Sequence, residues 1–562
     1  MHRQRCFFGL RAASFRAATV RERSCVTRKL APDRALGSLS SLRAKPRGSA
    51  RADSPTTERL EPLKREDTGT GSAPRCVRGH GAGFVLIAAI SAALSTLPAL
   101  AQSPLERELR AVLKAVPHVE VVTGVCIVEL SSGRTVFEHQ ADQPLIPASS
   151  MKVFVMAVAL AELGGEFAFE TVLATDGSDL HLIGDGDPSL GDARLCQQRS
   201  EAPTAGFERW AEELLSHHVT RVRGDLVIDE SIFDEQVTNP TWSPDDLGKW
   251  YATPVGALNF NDNCLDITVS PAGGVGELAL VSMQPENSLA KIINKCRTGA
   301  GKEPVLHHPP GTVDFVISGR CSKSWSFSPV SFPDPGLLIA DVLRTVLARK
   351  GITLAGEIRR ERVRQPDGKL PPLLSVIGRQ RTPITDVMQR AGKNSQNLFA
   401  ECLLKRLGHV WAKRHGTIDP RGSWTLGGQA LVEATRSAGI DTTGLLVADG
   451  SGLSRANRCT ARQLAAILVW MDSRQEGQLF RNSLSVAGVD GSLRKRLKDL
   501  PGRVHAKTGT MRGIRTLAGY IDAPDGTRYA FAVMFNGYQG PSTPYRELQD
   551  RICRILANSP AE

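Results

Sequence analysis

The sequence lacks the residue patterns that mark the commonest metal sites and one large class of serine hydrolase. No C-x-x-C or H-E-x-x-H occurs in its 562 residues, and the histidine pairs at 217–218 and 307–308 are typical of loops. We therefore expect no metal site. The turn G-x-S-x-G is also absent, which excludes an α/β-hydrolase.

Most of the chain also lacks net charge, although the formal net charge of the whole is +12. Residues 1–80 hold 18 Lys and Arg against 7 Asp and Glu, and residues 81–101 hold no charged residue. The remaining 461 residues hold 52 basic and 51 acidic side chains. A nearly neutral body is not typical of proteins that bind polyanions, so we expect no nucleic-acid partner.

An uncharged stretch lies between Arg78 and Glu106. Its centre, FVLIAAISAALSTL at 84–97, has 14 residues, which is too short to span a bilayer, and P-A-L-A follows it. This pattern is typical of a secretory signal peptide, so we expect 77–101 to be cleaved after Ala101 and the protein to be periplasmic or otherwise exported. The alternative is a buried core helix.

Residues 1–76 contain no apolar periodicity and too many arginines for a signal peptide. We expect them to be unstructured or to result from a mis-assigned start, with translation beginning at Val77. A regulatory or targeting arm is the alternative.

Eight cysteines follow Ala101, at irregular spacings. An exported protein can form disulfides, but a chain of this size folds without them, so free buried thiols are equally compatible with the sequence.

Three serines are followed by a lysine three residues later, namely Ser149, Ser288 and Ser492. This number is close to chance, so the spacing alone does not identify a site. In LIPASSMKVFVMAVAL, however, Ser149 and Lys152 lie where a loop enters a long apolar run. Residues i and i+3 share a helix face, which would bring the amine to the hydroxyl. A capped helix with a lysine in its first turn is the alternative.

Two further motifs follow in the chain. S-x-N occurs once, at Ser395-Gln396-Asn397, and K-[ST]-G occurs once, at Lys507-Thr508-Gly509. Separately, the first is compatible with a helix cap and the second with an ordinary strand. Together, in the order S-x-x-K, S-x-N and K-T-G, they indicate a serine acyl-transfer site.

These motifs resemble those of the penicillin-recognising serine enzymes. The 246-residue separation of Ser149 and Ser395 resembles the penicillin-binding protein 4 type, the D-alanyl-D-alanine carboxypeptidase/endopeptidases. The resemblance runs from about 104 to 555 and departs at Gln396, where the family often has Asp, and at His505. It includes GDGDPSL (184–190), WSPDDLGKWYATPVGALNFNDN (242–263), DGSGLSRANR (449–458) and SVAGVDGSLRKRL (485–497).

The resemblance implies a catalytic role for five residues. Ser149 would be the nucleophile and Lys152 its base, made neutral by burial and by the like charge of Lys507. Ser395 would pass a proton to the leaving D-alanine, and Asn397 would orient Lys152 and bind the substrate's peptide carbonyl. The implied partners are peptidoglycan stem peptides ending in D-Ala-D-Ala and β-lactam antibiotics, with no cofactor.

The resemblance also implies a substrate-binding set. The threonines would hold the terminal carboxylate, the glycine would let the substrate approach the strand, and backbone N–H groups of Ser149 and Thr510 would form an oxyanion hole. The aspartate would bind the ammonium of the substrate side chain, unless it is a solvated loop acid, while apolar members pack along the methylenes. The set is Thr508, Gly509, Thr510, Asp245, Trp242, Leu453, Arg455 and Met511.

The hydrophobic patterns predict an α+β fold. Strands are predicted at 122–130, 134–140, 503–510, 514–522 and 528–536, with a last helix at 545–558. We expect one antiparallel sheet with helices packed on it, as in the penicillin-recognising transpeptidase/β-lactamase-like domain that the resemblance implies.

A β-rich insertion is predicted to interrupt this domain, because the region from about 170 to 385 is rich in Gly, Pro and short β-like runs. The resemblance implies that it forms two small domains. The expected boundaries are 102–170 for the first catalytic part, 171–385 for the insertion and 386–562 for the second catalytic part.

Two other functions remain open at this point. A β-lactamase would use the same motifs, but its S-x-x-K to S-x-N separation is far shorter and the sequence offers no candidate deacylating glutamate. A non-catalytic penicillin sensor or wall-binding protein would be expected to lack one catalytic group, and all are present.

Overall fold

The structure, a computed structural model, describes residues 103–117, 120–365 and 367–559. The expected signal peptide and the segment before it lie outside these residues. In the described part of the chain, no helix combines the length and the apolar character needed to cross a membrane.

Several α-helices of the described chain begin at ordinary capping signals. Asp334, Ser423 and Thr460 each accept a hydrogen bond from a backbone N–H in the first turn of the helix that follows. The helices are Pro104–Lys114, Met151–Leu163, Ala193–Arg199, Ala205–Ser216, Pro335–Arg349, Ile384–Lys393, Asn397–Arg414, Trp424–Ser437, Ala461–Asp472, Gly477–Ser483 and Thr543–Asn558.

A six-stranded antiparallel sheet, here called the catalytic sheet, joins the two ends of the described chain. Gly133, with φ of 69°, closes the turn between its first two strands. The predicted strands and the predicted last helix are confirmed within one or two residues. The strand order is Ser485–Val486, Val504–Met511, Ile514–Asp522, Arg528–Asn536, Val122–Glu129 and Thr135–His139.

Helices cover both faces of the catalytic sheet because its side chains alternate between two apolar cores. Ala530 and Ala532 face one core, which includes the helix Met151–Leu163, whereas Phe531 and Val533 face the other, which includes Thr543–Asn558. The helix Met151–Leu163, here called the nucleophile helix, is buried over its first ten residues. A helix that is apolar on all sides belongs inside a protein, and the loop before it is therefore held firmly.

The region predicted as a β-rich insertion contains several sheets. The largest is a five-stranded mixed sheet with the order Ile358–Arg360, Leu226–Asp229, Leu180–Ile183, Ala168–Thr175 and Ser375–Pro383. The smaller sheets consist of Cys264–Ser270, Leu280–Gln284, Trp325–Ser326 and Val330–Ser331; Lys291–Asn294, Val305–His307 and Asp314–Ser318; Arg297–Thr298 and Arg320–Cys321; and Arg221–Val222 and Thr353–Leu354.

The same region also holds three helices that the sequence analysis did not name, 193–199, 205–216 and 335–349. The last begins with a signal that is visible in the sequence, because Asp334 caps it and Pro335 occupies its first position. The expected domain boundaries stay predictions.

The eight cysteines after Ala101 are free thiols, and all except the half-buried Cys196 are buried. Burial raises the pKa of several of them, including Cys126 to about 12. The sequence left disulfides and free thiols open, and the structure has free thiols.

Candidate active site

The nucleophile candidate lies in a single 3₁₀ turn, Ala148–Ser150, directly before the nucleophile helix. Ser149 is half-buried, whereas Ser150 is buried and its Oγ lies 2.8 Å from Thr516 Oγ1. Thr516 Oγ1 in turn donates to Pro147 O at 2.8 Å. These bonds attach the turn to the catalytic sheet and leave Ser149 as the serine that faces outward.

Two glycines allow neighbouring segments to approach this turn closely. A Cβ on Gly452 would lie 1.8 Å from Ala148 O, and one on Gly509 would lie 2.1 Å from Thr516 Oγ1 and 2.8 Å from Pro147 O. From the sequence, the missing side chain of Gly509 is expected to make room for the substrate. In the structure Thr516 and the start of the turn that carries Ser149 take that space, so Gly509 lets the nucleophile turn pack against the catalytic sheet.

Lys152 has the contacts expected of a base. Its Nζ lies 2.7 Å from Asn397 Oδ1, 2.7 Å from Ser451 O and 3.2 Å from Ser149 Oγ. The two carbonyl oxygens can accept both N–H bonds of a neutral amine. The remaining position, which is the lone pair in the neutral form, is then directed at the serine hydroxyl.

Burial lowers the pKa of Lys152 to about 8, while the carboxylates of Glu401 and Asp449 oppose this change. Burial and then the like charge of Lys152 lower the pKa of Lys507 well below its usual range. Burial thus lowers the pKa of Lys152, as predicted. The like charge, in contrast, lowers the pKa of Lys507 and not that of Lys152. A site with two buried amines favours a neutral form of at least one of them.

The other two motifs meet at this point. Lys507 Nζ donates to Ser395 Oγ at 2.8 Å and to Thr508 O at 2.8 Å. Ser395 has a left-handed backbone, with φ of 59°, and precedes the helix Asn397–Arg414. Neither Asn394 nor Ser395 caps that helix; the Gln396 side chain accepts from the first helical N–H. The helix-cap alternative for Ser395 is therefore wrong, and its hydroxyl faces the second lysine.

The departure at Gln396 has a specific partner. Gln396 Nε2 donates to Asp262 Oδ2 at 2.6 Å, while Asp262 also lies beside Arg390, with Nη2 to Oδ2 at 3.3 Å. An aspartate at 396 would bring another negative charge to this carboxylate. The amide of Gln396 supplies a donor instead and holds the S-x-N loop in place.

Two buried acids that were not predicted from the sequence fix the loop that contacts Lys152. Glu401 accepts hydrogen bonds from the backbone N–H groups of Gly450 and Ser451, each at 2.8 Å. Asp449 accepts from Gly452 N at 2.8 Å. They fix the 449–453 loop, whose Ser451 carbonyl accepts from Lys152. An acid inside the apolar run LFAECLL was the available signal for Glu401.

The segment that precedes Tyr251 carries two members of the expected substrate set. Trp242 is buried, with 5% exposure, and its Nε1 donates to Asp449 Oδ2 at 2.8 Å. Its indole therefore supports the 449–453 loop. Asp245 is exposed in the short turn Pro244–Asp246. The segment borders the site because Asn397 Nδ2 donates to Tyr251 O at 2.7 Å.

The remaining members of the set lie on two neighbouring segments. Arg455 is exposed and donates to Arg512 O at 3.3 Å, which links the 449–458 loop to the end of the strand Val504–Met511. Thr508 Oγ1 donates to Ser492 Oγ at 2.9 Å, and Thr510 Oγ1 accepts from Arg515 at 2.9 Å. Leu453 and Met511 are half-buried.

The six-stranded sheet, the half-buried serine and the two buried lysines define the protein as a serine enzyme of the acyl-transfer type. Residues 105–559 match the model of the D-Ala-D-Ala carboxypeptidase 3 (S13) family. The chain belongs to this family and is a serine-type D-Ala-D-Ala carboxypeptidase.

Individual relatives agree with this assignment. The chain is 31% identical to a D-alanyl-D-alanine carboxypeptidase of Actinomadura sp. (strain R39) over 532 residues, which cover 88% of this chain and 93% of the relative. Two structures of penicillin binding protein 4 (dacB) from Haemophilus influenzae are 21% identical and cover 80% of this chain and 99% of their own. Their TM-scores are 0.66 and 0.61, and the second is complexed with a novel beta-lactam. The predicted penicillin-recognising fold is confirmed.

Proposed function

We propose that this carboxypeptidase is exported, cleaves peptidoglycan stem peptides and their crosslinks through an acyl-enzyme on Ser149, and is acylated by penicillins. One observation carries the proposal. Lys152 Nζ lies 3.2 Å from Ser149 Oγ while two carbonyl oxygens accept its other hydrogens. This is the arrangement that a hydroxyl needs to attack an amide carbonyl at neutral pH.

The proposed acylation step uses both lysines. Ser149 Oγ attacks the carbonyl carbon of the penultimate D-alanine and gives its proton to Lys152. Backbone N–H groups of Ser149 and Thr510 stabilise the oxyanion, a contribution that is typically about 10²–10³ in rate per donor. As the C–N bond breaks, Ser395, supported by Lys507, protonates the leaving amine, and D-alanine departs. Water then attacks the ester and gives a proton to Ser395, while Ser149 leaves the acyl group and regains its proton from Lys152.

Substrate selection in this proposal depends on the strand Val504–Met511. Lys507 with the hydroxyls of Thr508 and Thr510 would hold the terminal carboxylate of the substrate. A penicillin presents a carboxylate at a similar distance from its reactive amide. Its leaving nitrogen stays tethered after ring opening, so the penicilloyl ester should persist.

Replacement of the nucleophile is the direct test. Ser149→Ala should abolish covalent labelling by a fluorescent penicillin, and Ser288→Ala should be labelled like wild type. Ser288 is a matched control because it has the same S-x-x-K spacing, but its Oγ donates to Asp341. Labelling that survives in Ser149→Ala would overturn the assignment.

Purified muropeptides would separate the proposed activities. Release of D-alanine from monomeric stem peptides is expected, together with cleavage of crosslinked dimers, and mass analysis of the products measures both. If D-alanine is released completely from the monomers while the crosslinked dimers stay intact, the proposed endopeptidase activity would be wrong. Fast nitrocefin turnover would instead favour a β-lactamase. If monomers and dimers both stay intact, a non-catalytic sensor would be favoured.

We also propose that Asp245 binds the ammonium on the substrate side chain. Because hydrogen bonds to charged groups contribute about 1.5–3 kcal/mol, Asp245→Asn should lower kcat/KM for the native peptide by roughly 10–100-fold. Acylation by benzylpenicillin, which has no such ammonium, should change little. Equal losses on both substrates would mean that Asp245 supports the structure.

Export is tested on the native protein. If the signal peptide is cleaved after Ala101, N-terminal sequencing of the mature protein from a cell-envelope fraction should begin at Gln102. Recovery of the protein only from the cytoplasm, with residues from 1–76 still present, would contradict export and the internal start.

A further inference from the structure

A second cavity, of about 200 Å³, lies where the insertion region meets the helix Asn397–Arg414 and shares no residue with the serine site. Its charged lining is unbalanced, because five basic side chains face two carboxylates; with Asp419, which pairs with Arg362, the net charge is +2 with histidine neutral. The basic residues are Arg362, Arg364, Lys369, Arg406 and Lys413, and the acids are Asp185 and Asp367.

Some guanidinium nitrogens in this cavity are buried without an acceptor in the described part of the chain. These are Nε of Arg364 and Nε of Arg406. Arg406 Nη1 lies 3.1 Å from Asp185 Oδ1, but the direction of this ion pair is not that of a hydrogen bond. In the described residues, the guanidinium of Arg364 makes long hydrogen bonds to Gly184 O at 3.4 Å and Gly368 O at 3.3 Å. Buried N–H groups nearly always have an acceptor, so these donors point to a ligand.

The electrostatic surroundings also favour an added negative charge. Burial lowers the pKa of Arg406, Asp185 opposes this change, and the like charge of Arg364 adds to it. Burial and then the charge of Arg406 lower the pKa of His409, another lining residue, to about 4. Arg362 is occupied elsewhere, because its Nη1 donates to Asp419 Oδ1 at 2.6 Å.

We propose that this cavity is a binding site for a phosphate group, held by Arg364 and Arg406 with Lys413 as a further cation. Planar guanidinium groups match phosphate oxygens with paired N–H donors, and a multiply charged oxyanion suits the net charge of the lining. The cavity has the volume of about six water molecules, so it can take a small phosphate ester as well as the free ion.

Thermal unfolding of the mature protein tests the site, with inorganic phosphate compared with chloride at equal ionic strength. Phosphate at about 10 mM should raise Tm by roughly 1–3 °C more than chloride. Arg364→Gln should lose this difference, whereas Arg554→Gln should keep it. Arg554 is a suitable control because it pairs with Asp499 on the surface.

A second comparison distinguishes the sources of the phosphate group. A Tm shift by glycerol phosphate but not by glycerol would assign an ester, and a shift by inorganic phosphate alone would assign the free ion. An equal shift by chloride, or an undiminished phosphate effect in Arg364→Gln, would overturn the site, and Lys413→Gln should weaken the effect. Penicillin labelling should be normal in these variants, so the result is independent of the proposed function.

Discussion

Two regions of the molecule each bury a lysine completely, yet they treat it differently. Lys152 has neutral oxygen acceptors, the carbonyls of Asn397 and Ser451 and the hydroxyl of Ser149. Lys405 Nζ also donates to a neutral carbonyl, Gln236 O at 2.8 Å, but it lies 2.7 Å from Asp234 Oδ1 and 4.4 Å from the centre of the Trp424 ring. Burial lowers the pKa of both, with the opposing carboxylate in direct contact only at Lys405.

The difference shows that burial alone does not make a lysine a base. A carboxylate and aromatic faces around Lys405 favour the ammonium form, which then acts as a structural ion. The carboxylates near Lys152, those of Glu401 and Asp449, accept hydrogen bonds from backbone N–H groups and not from Lys152 Nζ. The amine can therefore lose its proton, and its lone pair faces the hydroxyl that it activates.

The largest expected effect is on the rate of acylation. Lys152→Arg keeps the charge but cannot accept a proton, so stopped-flow acylation by a penicillin should slow by at least about 10²-fold. Lys405→Arg is the matched control, and its rate should stay within a fewfold of wild type. Near-normal acylation of Lys152→Arg would mean that Lys152 is not the base and that another group accepts the proton of Ser149.

The pH dependence of acylation should sharpen the comparison. Because the pKa of Lys152 is lowered to about 8, the neutral amine predominates above that pH and is lost below it. The rate should fall by about tenfold for each pH unit below 8, since only the neutral form is a base. Fluorescent-penicillin labelling between pH 5.5 and 9 measures this limb. A flat profile from pH 6 to 8 would mean that the amine of Lys152 is already neutral at pH 6.

A smaller effect, on stability, is expected at the structural lysine. Lys405→Met removes the partner of Asp234, whose Oδ1 is buried without a hydrogen bond in the described residues. Because Asp234 is partly exposed, we expect a loss of about 1–3 kcal/mol and a fall in Tm of roughly 2–6 °C. The acylation rate of the folded enzyme should be unchanged within about twofold. A larger rate loss at unchanged Tm would reverse the assignment of the two lysines.

The catalytic set could be predicted from the sequence because its members belong to short motifs. Once the apolar run after Ser149 forms a helix, the three-residue spacing places Ser149 and Lys152 on one face. Five of the six strands of the catalytic sheet were also predictable, since short apolar runs bounded by turn residues mark strands that are buried on both faces.

Contacts between distant segments could not be predicted in this way. Trp242 resembles a substrate-binding residue in sequence, but its indole donates to Asp449, 207 positions along the chain. Gly509 was assigned to the substrate, although its missing side chain makes room for Pro147 and Thr516. In both cases the partner comes from packing and not from local spacing.

The sequence by itself determined the order of the three motifs, the type of chemistry and the family, because these depend on residue identity and short-range spacing. Only the tertiary structure decided which buried lysine has a carboxylate beside its amine, which acids support the 449–453 loop and which arginines converge on the second cavity. The physical reason is that the free energy of a buried charge depends on every atom within a few ångströms of it. Those atoms are brought together by the folded chain from segments hundreds of residues apart.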